Sequence, residues 1–351
     1  MLDCRKAQWL IFRYIRSRLN PSVFFVFVAP TRRCNMRCDY CYQVGMQEGE
    51  MSPSCFQDIL NECLNLGVGV MSFTGGEPLL WEHIYDAIEA SSQANLVVQM
   101  TTNGSLLSRE CIDRLSENGL DYLIVSVDAA RSSARFPKSL EANPSLIDSL
   151  VYARNDKGIK VSCNAVLTRE NIEDVLEVTD ILDRAGIPIS IGFVDGVTTS
   201  DPAFRFPEDS FLLRQVTAQL VALKRAGRRI IEPEEYFLGY ERHLRGERVW
   251  HCRKPNGRSL TVTPNGAFLI CSRLKKEICA VRDMTKQDRG SLQRQILSQV
   301  ETCNPTCYSN CSFNSSYYQQ HPLKFMTSVL WRAFQDPDKF KLLPVSTSSS
   351  G

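Results

Sequence analysis

Between residues 22 and 194 short apolar runs alternate with helix-patterned stretches, and this alternation constrains the fold more than any other feature of the chain. Val23–Ala29 (VFFVFVA) is an unbroken apolar run of strand length, as expected for a strand covered on both faces. Ser52–Leu66 reads as a helix, with Ser52 as its N-cap, Pro53 in the first turn and Gly67 as its stop. The pattern then repeats. Strands are expected at Val68–Phe73, Leu96–Met100, Tyr122–Val127, Val161–Leu167 and Ser190–Val194. Helices are expected at about Trp81–Ser92, Ser108–Asn118 and Ser145–Lys157, the last two closed by Gly119 and Gly158. A further helix is capped by Asn171, carries Glu173 and Asp174 in its first turn, and ends at Gly186.

Strands that alternate with helices lie parallel and are joined by right-handed crossovers. Six such units are too few to close an eight-stranded barrel. The expected fold class is α/β: a partial (β/α)6 TIM-like barrel with a small cysteine-rich C-terminal module. In such a barrel the active site forms at the C-terminal ends of the strands. Along the chain this gives an N-terminal amphipathic helix (residues 1–21), the barrel core (22–195), a helical bridge (196–250) and the cysteine-rich module (251–313). A C-terminal helix and a frayed low-complexity tail, Val345–Gly351, complete it over residues 314–351.

The 351 residues include 14 cysteines. In a reducing compartment such a surplus points to metal ligation rather than to disulfides. Cys4, Cys55, Cys63, Cys111 and Cys163 are scattered and read as small apolar filler. Cys34, Cys38 and Cys41 stand together directly after the first strand, in Thr31–Tyr42 (TRRCNMRCDYCY), at the spacing C-x3-C-x2-C. A 4Fe–4S cluster is normally held by four thiolates, so a three-cysteine loop leaves one iron open for reaction. A zinc site with a remote fourth ligand is the alternative.

With Tyr40 as the aromatic residue before the third cysteine, this segment resembles the radical S-adenosylmethionine superfamily, whose signature is C-x3-C-x-aromatic-C. The resemblance extends over residues 22–194. It implies a 4Fe–4S cluster on Cys34, Cys38 and Cys41, with S-adenosylmethionine chelating the open iron. An electron from the cluster then cleaves the cofactor to a 5′-deoxyadenosyl radical that removes hydrogen from a substrate. The strand end Thr74-Gly75-Gly76-Glu77-Pro78 matches the family's GGE motif, which holds the methionine amino group. Asn103, in Thr101-Thr102-Asn103-Gly104, lies in a turn common in the family. Ser126 and Asp128, in Ser126-Val127-Asp128, correspond to positions near the methionine carboxylate or ribose. Asn164 is either a further site residue or a hydrogen-bonded core amide.

Six more cysteines follow residue 250: Cys252, Cys271, Cys279, Cys303, Cys307 and Cys311. Cys252 and Cys271 bracket a hairpin whose turn is Pro264-Asn265-Gly266. Cys303, Cys307 and Cys311 run as C-x3-C-x3-C, which on a helix places all three near one face. Gly266 and Cys271 resemble the opening of the SPASM and twitch modules of the same superfamily. Two hairpin cysteines and two from the later run would hold one auxiliary 4Fe–4S cluster, leaving Cys279 and one other cysteine spare. A structural zinc site is the alternative.

The net charge of +2 and the absence of a long basic run argue against nucleic acid as a partner. No apolar stretch reaches the roughly 20 residues that span a bilayer. Met1–Leu19 is interleaved with Arg5, Lys6, Arg13, Arg16 and Arg18, unlike a secretory signal, so a cytoplasmic protein is expected. Residues 5–19 and Leu323–Phe334 are amphipathic, suited either to packing on the barrel or to peripheral membrane contact. No general base stands out among His83, His243, His251 and His321. The leading expectation is hydrogen abstraction from a peptide or small biosynthetic intermediate, with flavodoxin or ferredoxin as electron donor. The alternatives are a lipid or carbohydrate intermediate at a membrane surface, or a non-catalytic metal-binding scaffold.

Overall fold

Six parallel strands, β1 (Phe25–Val28), β2 (Val70–Phe73), β3 (Val97–Thr102), β4 (Tyr122–Ser126), β5 (Lys160–Leu167) and β6 (Ile189–Phe193), follow one another across the sheet in chain order. Between them run α1 (Pro53–Leu66), α2 (Ile84–Gln93), α3 (Arg109–Glu117), α4 (Leu146–Asn155) and α5 (Ile172–Arg184). The computed structural model describes residues 23–41, 43, 49–194, 202–207, 210–250, 252, 259–271, 277–283, 307–321 and 324. The architecture is the expected partial TIM-like barrel.

Strand period sorts the two faces of this sheet. Val26, Val28, Met71, Phe73, Val98, Met100, Leu123 and Val125 are wholly buried and share one core with the apolar faces of the helices. Burying each such side chain contributes roughly 1.5–3 kcal/mol. The alternate positions turn to the other face. Phe27, Gln99, Thr101, Ile124, Ser126, Asn164 and Ser190 are only half-buried there, giving a mostly polar inner wall.

The helix ends follow local chemistry. Ser52 Oγ accepts a hydrogen bond from the Cys55 amide at 3.2 Å, and Ser108 Oγ does the same for Cys111 at 3.1 Å. Two expectations are corrected. The second helix begins at Ile84 rather than near Trp81, because a 3-10 turn, Pro78–Leu80, intervenes. Glu77 Oε1 caps that turn by accepting from the Leu79 amide at 3.2 Å. Asn171 occupies the N-cap position of α5, but its side chain makes no cap bond. It accepts from Thr168 N (2.8 Å) and donates to the carbonyls of Asp128 (2.8 Å) and Val166 (2.9 Å), tying β5 to the end of β4.

Beyond the barrel come α6 (Phe211–Arg225) and α7 (Glu234–Leu244), then β7 (Ser259–Val262), β8 (Ala267–Leu269), β9 (Glu277–Ala280) and α8 (Asn310–Gln320). The hairpin turns where Asn265-Gly266 was expected to turn it, with Gly266 at φ +79°. It does not stand apart from the barrel. β7 lies parallel to β1, Phe25 opposite Ser259, so the sheet order is β6-β5-β4-β3-β2-β1-β7-β8-β9. The C-x3-C-x3-C run is not one helical face: Cys307 precedes α8 and Cys311 lies in its first turn. Cys303, the amphipathic segment at residues 5–19, and Leu323–Phe334 apart from Lys324 lie outside the described residues. Among the described residues no helix is long and apolar enough to cross a membrane.

Candidate active site at the strand ends

The three-cysteine loop leaves the C-terminal end of β1 and is stitched to the end of β2. Gly76 N donates to Thr31 O at 3.0 Å and Glu77 N to Arg33 O at 2.7 Å. This approach is too close for side chains. A Cβ on Gly76 would stand 2.0 Å from Arg33 O, and one on Gly75 would stand 2.6 Å from Thr31 O, where φ is also +124°. The glycines of TGGEP therefore seat the cysteine loop itself. Gln43 closes its far side, donating to Gly75 O at 2.7 Å and accepting from Arg32 at 3.0 Å. Within the loop Cys41 N donates to Cys38 O at 3.0 Å. Cys34 is exposed, Cys41 half-buried and Cys38 buried.

Glu77 is fully buried and works as an internal brace. Beside its contact with Leu79, it accepts from Thr102 Oγ1 and Asn103 N, both at 2.7 Å, fixing the end of β3 to that of β2. Burial raises its carboxyl pKa, and the bonds from Asn103, Thr102 and Leu79 oppose the rise. Pro78, buried behind it, opens the 3-10 turn. Asn103 points to the cysteine loop. Its Nδ2 lies 3.8 Å from Cys34 Sγ and donates to Asn35 Oδ1 at 2.8 Å.

Tyr40 and Asp128 meet at the other side of the loop. The Tyr40 hydroxyl donates to Asp128 Oδ2, which also takes Lys138 Nζ at 2.8 Å; Val166 N donates to Asp128 Oδ1 at 2.7 Å. Both carboxylate oxygens of Asp128 are thus engaged inside the protein. Burial raises the Tyr40 pKa, with Asp128 adding to the rise, so the phenol stays neutral. Burial works against the Lys138 ammonium, but Asp128 overrides it and holds the lysine pKa above its ordinary value. The Tyr40 ring packs between Phe136 and Phe204, centroids 6.1 and 6.0 Å away, in a small apolar cluster that also contains Cys38. Sequence reading missed Lys138, Phe136 and Phe204, which lie in connecting segments without periodicity or motif.

Ser126, Met36, Asn103 and Lys138 line a cavity of ≈ 140 Å³. Ser126 and Asn164 are register partners on β4 and β5. Asn164 is half-buried, and its Oδ1 accepts from Asn310 of α8 at 3.4 Å. Among the later cysteines, Cys271 is buried just after β8, Cys252 and Cys307 are half-buried, and Cys311 is exposed. Among the described residues no three Cys, His, Asp or Glu side chains stand close enough to share one metal ion. A four-iron cluster takes one thiolate per iron and so spaces its ligands more widely than a single ion does. The donor chemistry of the first loop, three thiols at C-x3-C-x2-C with no imidazole among them, fits such a cluster.

A parallel partial barrel with three thiols on the loop after its first strand defines a class of protein whose chemistry sits at the strand ends. Residues 28–202 match the Radical SAM superfamily, and the chain belongs to it. It is similar to Fe-coproporphyrin III synthase of Methanosarcina barkeri, 28% identical over 162 residues, which are 45% of this chain and 40% of that protein. It is also similar to PqqA peptide cyclase of Methylobacterium sp., 26% identical over 270 residues, covering 72% of this chain and 67% of that one. The chain thus spans less than half the length of the first of these relatives. Among solved structures, SuiB of Streptococcus suis bound to precursor peptide SuiA shares the fold, with a TM-score of 0.59 at 17% identity over 80% of this chain and 70% of that one.

Proposed function

We propose that this radical SAM protein is an enzyme that holds a 4Fe–4S cluster on Cys34, Cys38 and Cys41 and abstracts hydrogen from a peptide. The observation that carries the reading is the seating of the three-thiol loop against the GGE strand end, a contact that only glycine permits. When bound, the cluster and S-adenosylmethionine supply the one-electron chemistry. The chain's own residues then hold and orient. Gly75 and Gly76 present backbone groups to the methionine amine. Ser126 and Asn103 face the cavity beside Met36, where the methionine carboxylate and ribose would lie. Tyr40, locked to Asp128 and Lys138, keeps the loop and its cofactor from shifting and closes the site to water. Flavodoxin or ferredoxin would supply the electron.

Two similarities support the peptide. One relative is named PqqA peptide cyclase, and a structural neighbour is described bound to a precursor peptide. An auxiliary 4Fe–4S cluster on Cys252 and Cys271, with two of Cys303, Cys307 and Cys311, belongs to the same reading. Anaerobically reconstituted protein given reductant is expected to convert S-adenosylmethionine into 5′-deoxyadenosine. Iron-loaded protein that forms none would refute the assignment. Replacing Cys34, Cys38 and Cys41 together by alanine should leave about four irons bound, the content of one remaining cluster.

A further inference from the structure

We propose that Glu232 is a positioning residue for the auxiliary segment: its buried carboxyl joins β6 to α8 and so fixes where Cys311 stands against the barrel. Glu232 is completely buried. Its Oε2 accepts from the Ile191 amide at 2.8 Å, and its Oε1 accepts from Ser190 Oγ at 2.5 Å and from Asn314 Nδ2 at 3.3 Å. The same Ser190 hydroxyl accepts from Asn310 Nδ2 at 3.1 Å. Asn310 and Asn314 are four residues apart, one turn along the same helix face. They set the rotation of α8, and Cys311 lies between them. The fit is close, since a Cβ on Gly192 would meet the Asn310 side chain at 3.0 Å.

A second set of contacts anchors the residue after Cys307. Tyr308 OH donates to Tyr236 O at 2.8 Å, Tyr236 OH donates to Tyr308 O at 3.2 Å, and the two rings stack at 5.0 Å. These contacts hold the chain just before α8, whereas those of Asn310 and Asn314 act on the helix itself. A buried acid is costly unless its partners are in place, so it selects one rotation of α8 over its neighbours. Asn314 Oδ1 is buried without a hydrogen-bond partner. A protonated Glu232 can donate to Oδ1 with that amide turned over while still accepting from Ile191, so a neutral side chain of the same shape should serve.

The consequence for iron rests on reading Cys307 and Cys311 as auxiliary ligands, and the test separates the two ideas. The full chain with Cys34, Cys38 and Cys41 changed to alanine reports auxiliary iron alone. Into it go Glu232→Gln, Glu232→Ala and Asn314→Ala, the last sparing the bonds to Ser190 and Ile191 should Glu232→Ala fail to fold. Hydrogen exchange over residues 307–320 and the spectrum of the reduced cluster are followed together. Glu232→Gln should match the parent. Asn314→Ala and Glu232→Ala should raise α8 exchange about tenfold, the effect of losing one buried hydrogen-bonded contact, and alter the cluster's EPR signal. Unchanged α8 exchange in both would overturn the positioning role. A parent that binds no iron would remove the ligand reading, while the exchange rates still decide the role of Glu232.

Discussion

At Gly76 a single methyl group separates a seated cysteine loop from a displaced one. Gly76→Ala should cut iron incorporation several-fold and lower Tm, because the new Cβ meets backbone rather than a side chain that can swing away. Gly49→Ala, with nothing within 4 Å of its added Cβ, should change neither. Iron content per chain and a melting curve check both. At Lys138 the issue is charge. Removing the ammonium leaves Asp128 buried without its cation, so Lys138→Met should cost about 3–5 kcal/mol in urea unfolding. Combining it with Asp128→Asn should recover part of that loss. The cysteines, Tyr40 and the glycines were legible in the sequence because they fall into two short motifs, C-x3-C-x2-C after the first strand and TGGEP after the second. Lys138 was not, since its pairing with Asp128 depends on how the loop after β4 folds back.

Among the elements, capping chemistry was the most readable signal. Ser52 caps where its position before an apolar pattern placed it, Ser108 caps at the start of the helix expected there, and Ser52→Ala should cost about 1 kcal/mol by denaturant unfolding. Asn171 shows where that signal fails. An amide able to cap a helix is equally able to bridge two strand ends, and the local sequence does not distinguish these uses. The pH-dependent element is the bond between α8 and Glu232, which lies just before α7. Burial lifts the Glu232 pKa above its unfolded value, with bonds from Ser190, Ile191 and Asn314 opposing the rise. The titratable group facing it is Tyr236, kept neutral by its own burial. An acid with a raised folded pKa contributes fully below the ordinary carboxylate range, and the contribution fades as pH climbs through the raised value. Protection of the α8 amides, once exchange is corrected for its intrinsic dependence on pH, should therefore fall from acid to neutral pH in the native chain, and Glu232→Gln should flatten that slope.

Over the whole molecule, the alternation of strands and helices made the partial barrel readable, but not the joining of the C-terminal hairpin to its first strand. Periodicity marks what becomes a strand; it does not say which distant strand will lie beside it. β1 sits between β2 and β7, with the cysteine loop at its end. A chain cut after residue 250 would expose one edge of β1 and should self-associate, which light scattering on a sizing column would reveal. The same placement imposes an order in time. A ribosome adding about 5–20 residues per second needs roughly ten seconds or more to travel from Val28 to Ser259. Through that interval the thiols after β1 emerge and wait beside a strand with an unmet neighbour. Their loop is the first part of the centre to be made and among the last to be framed.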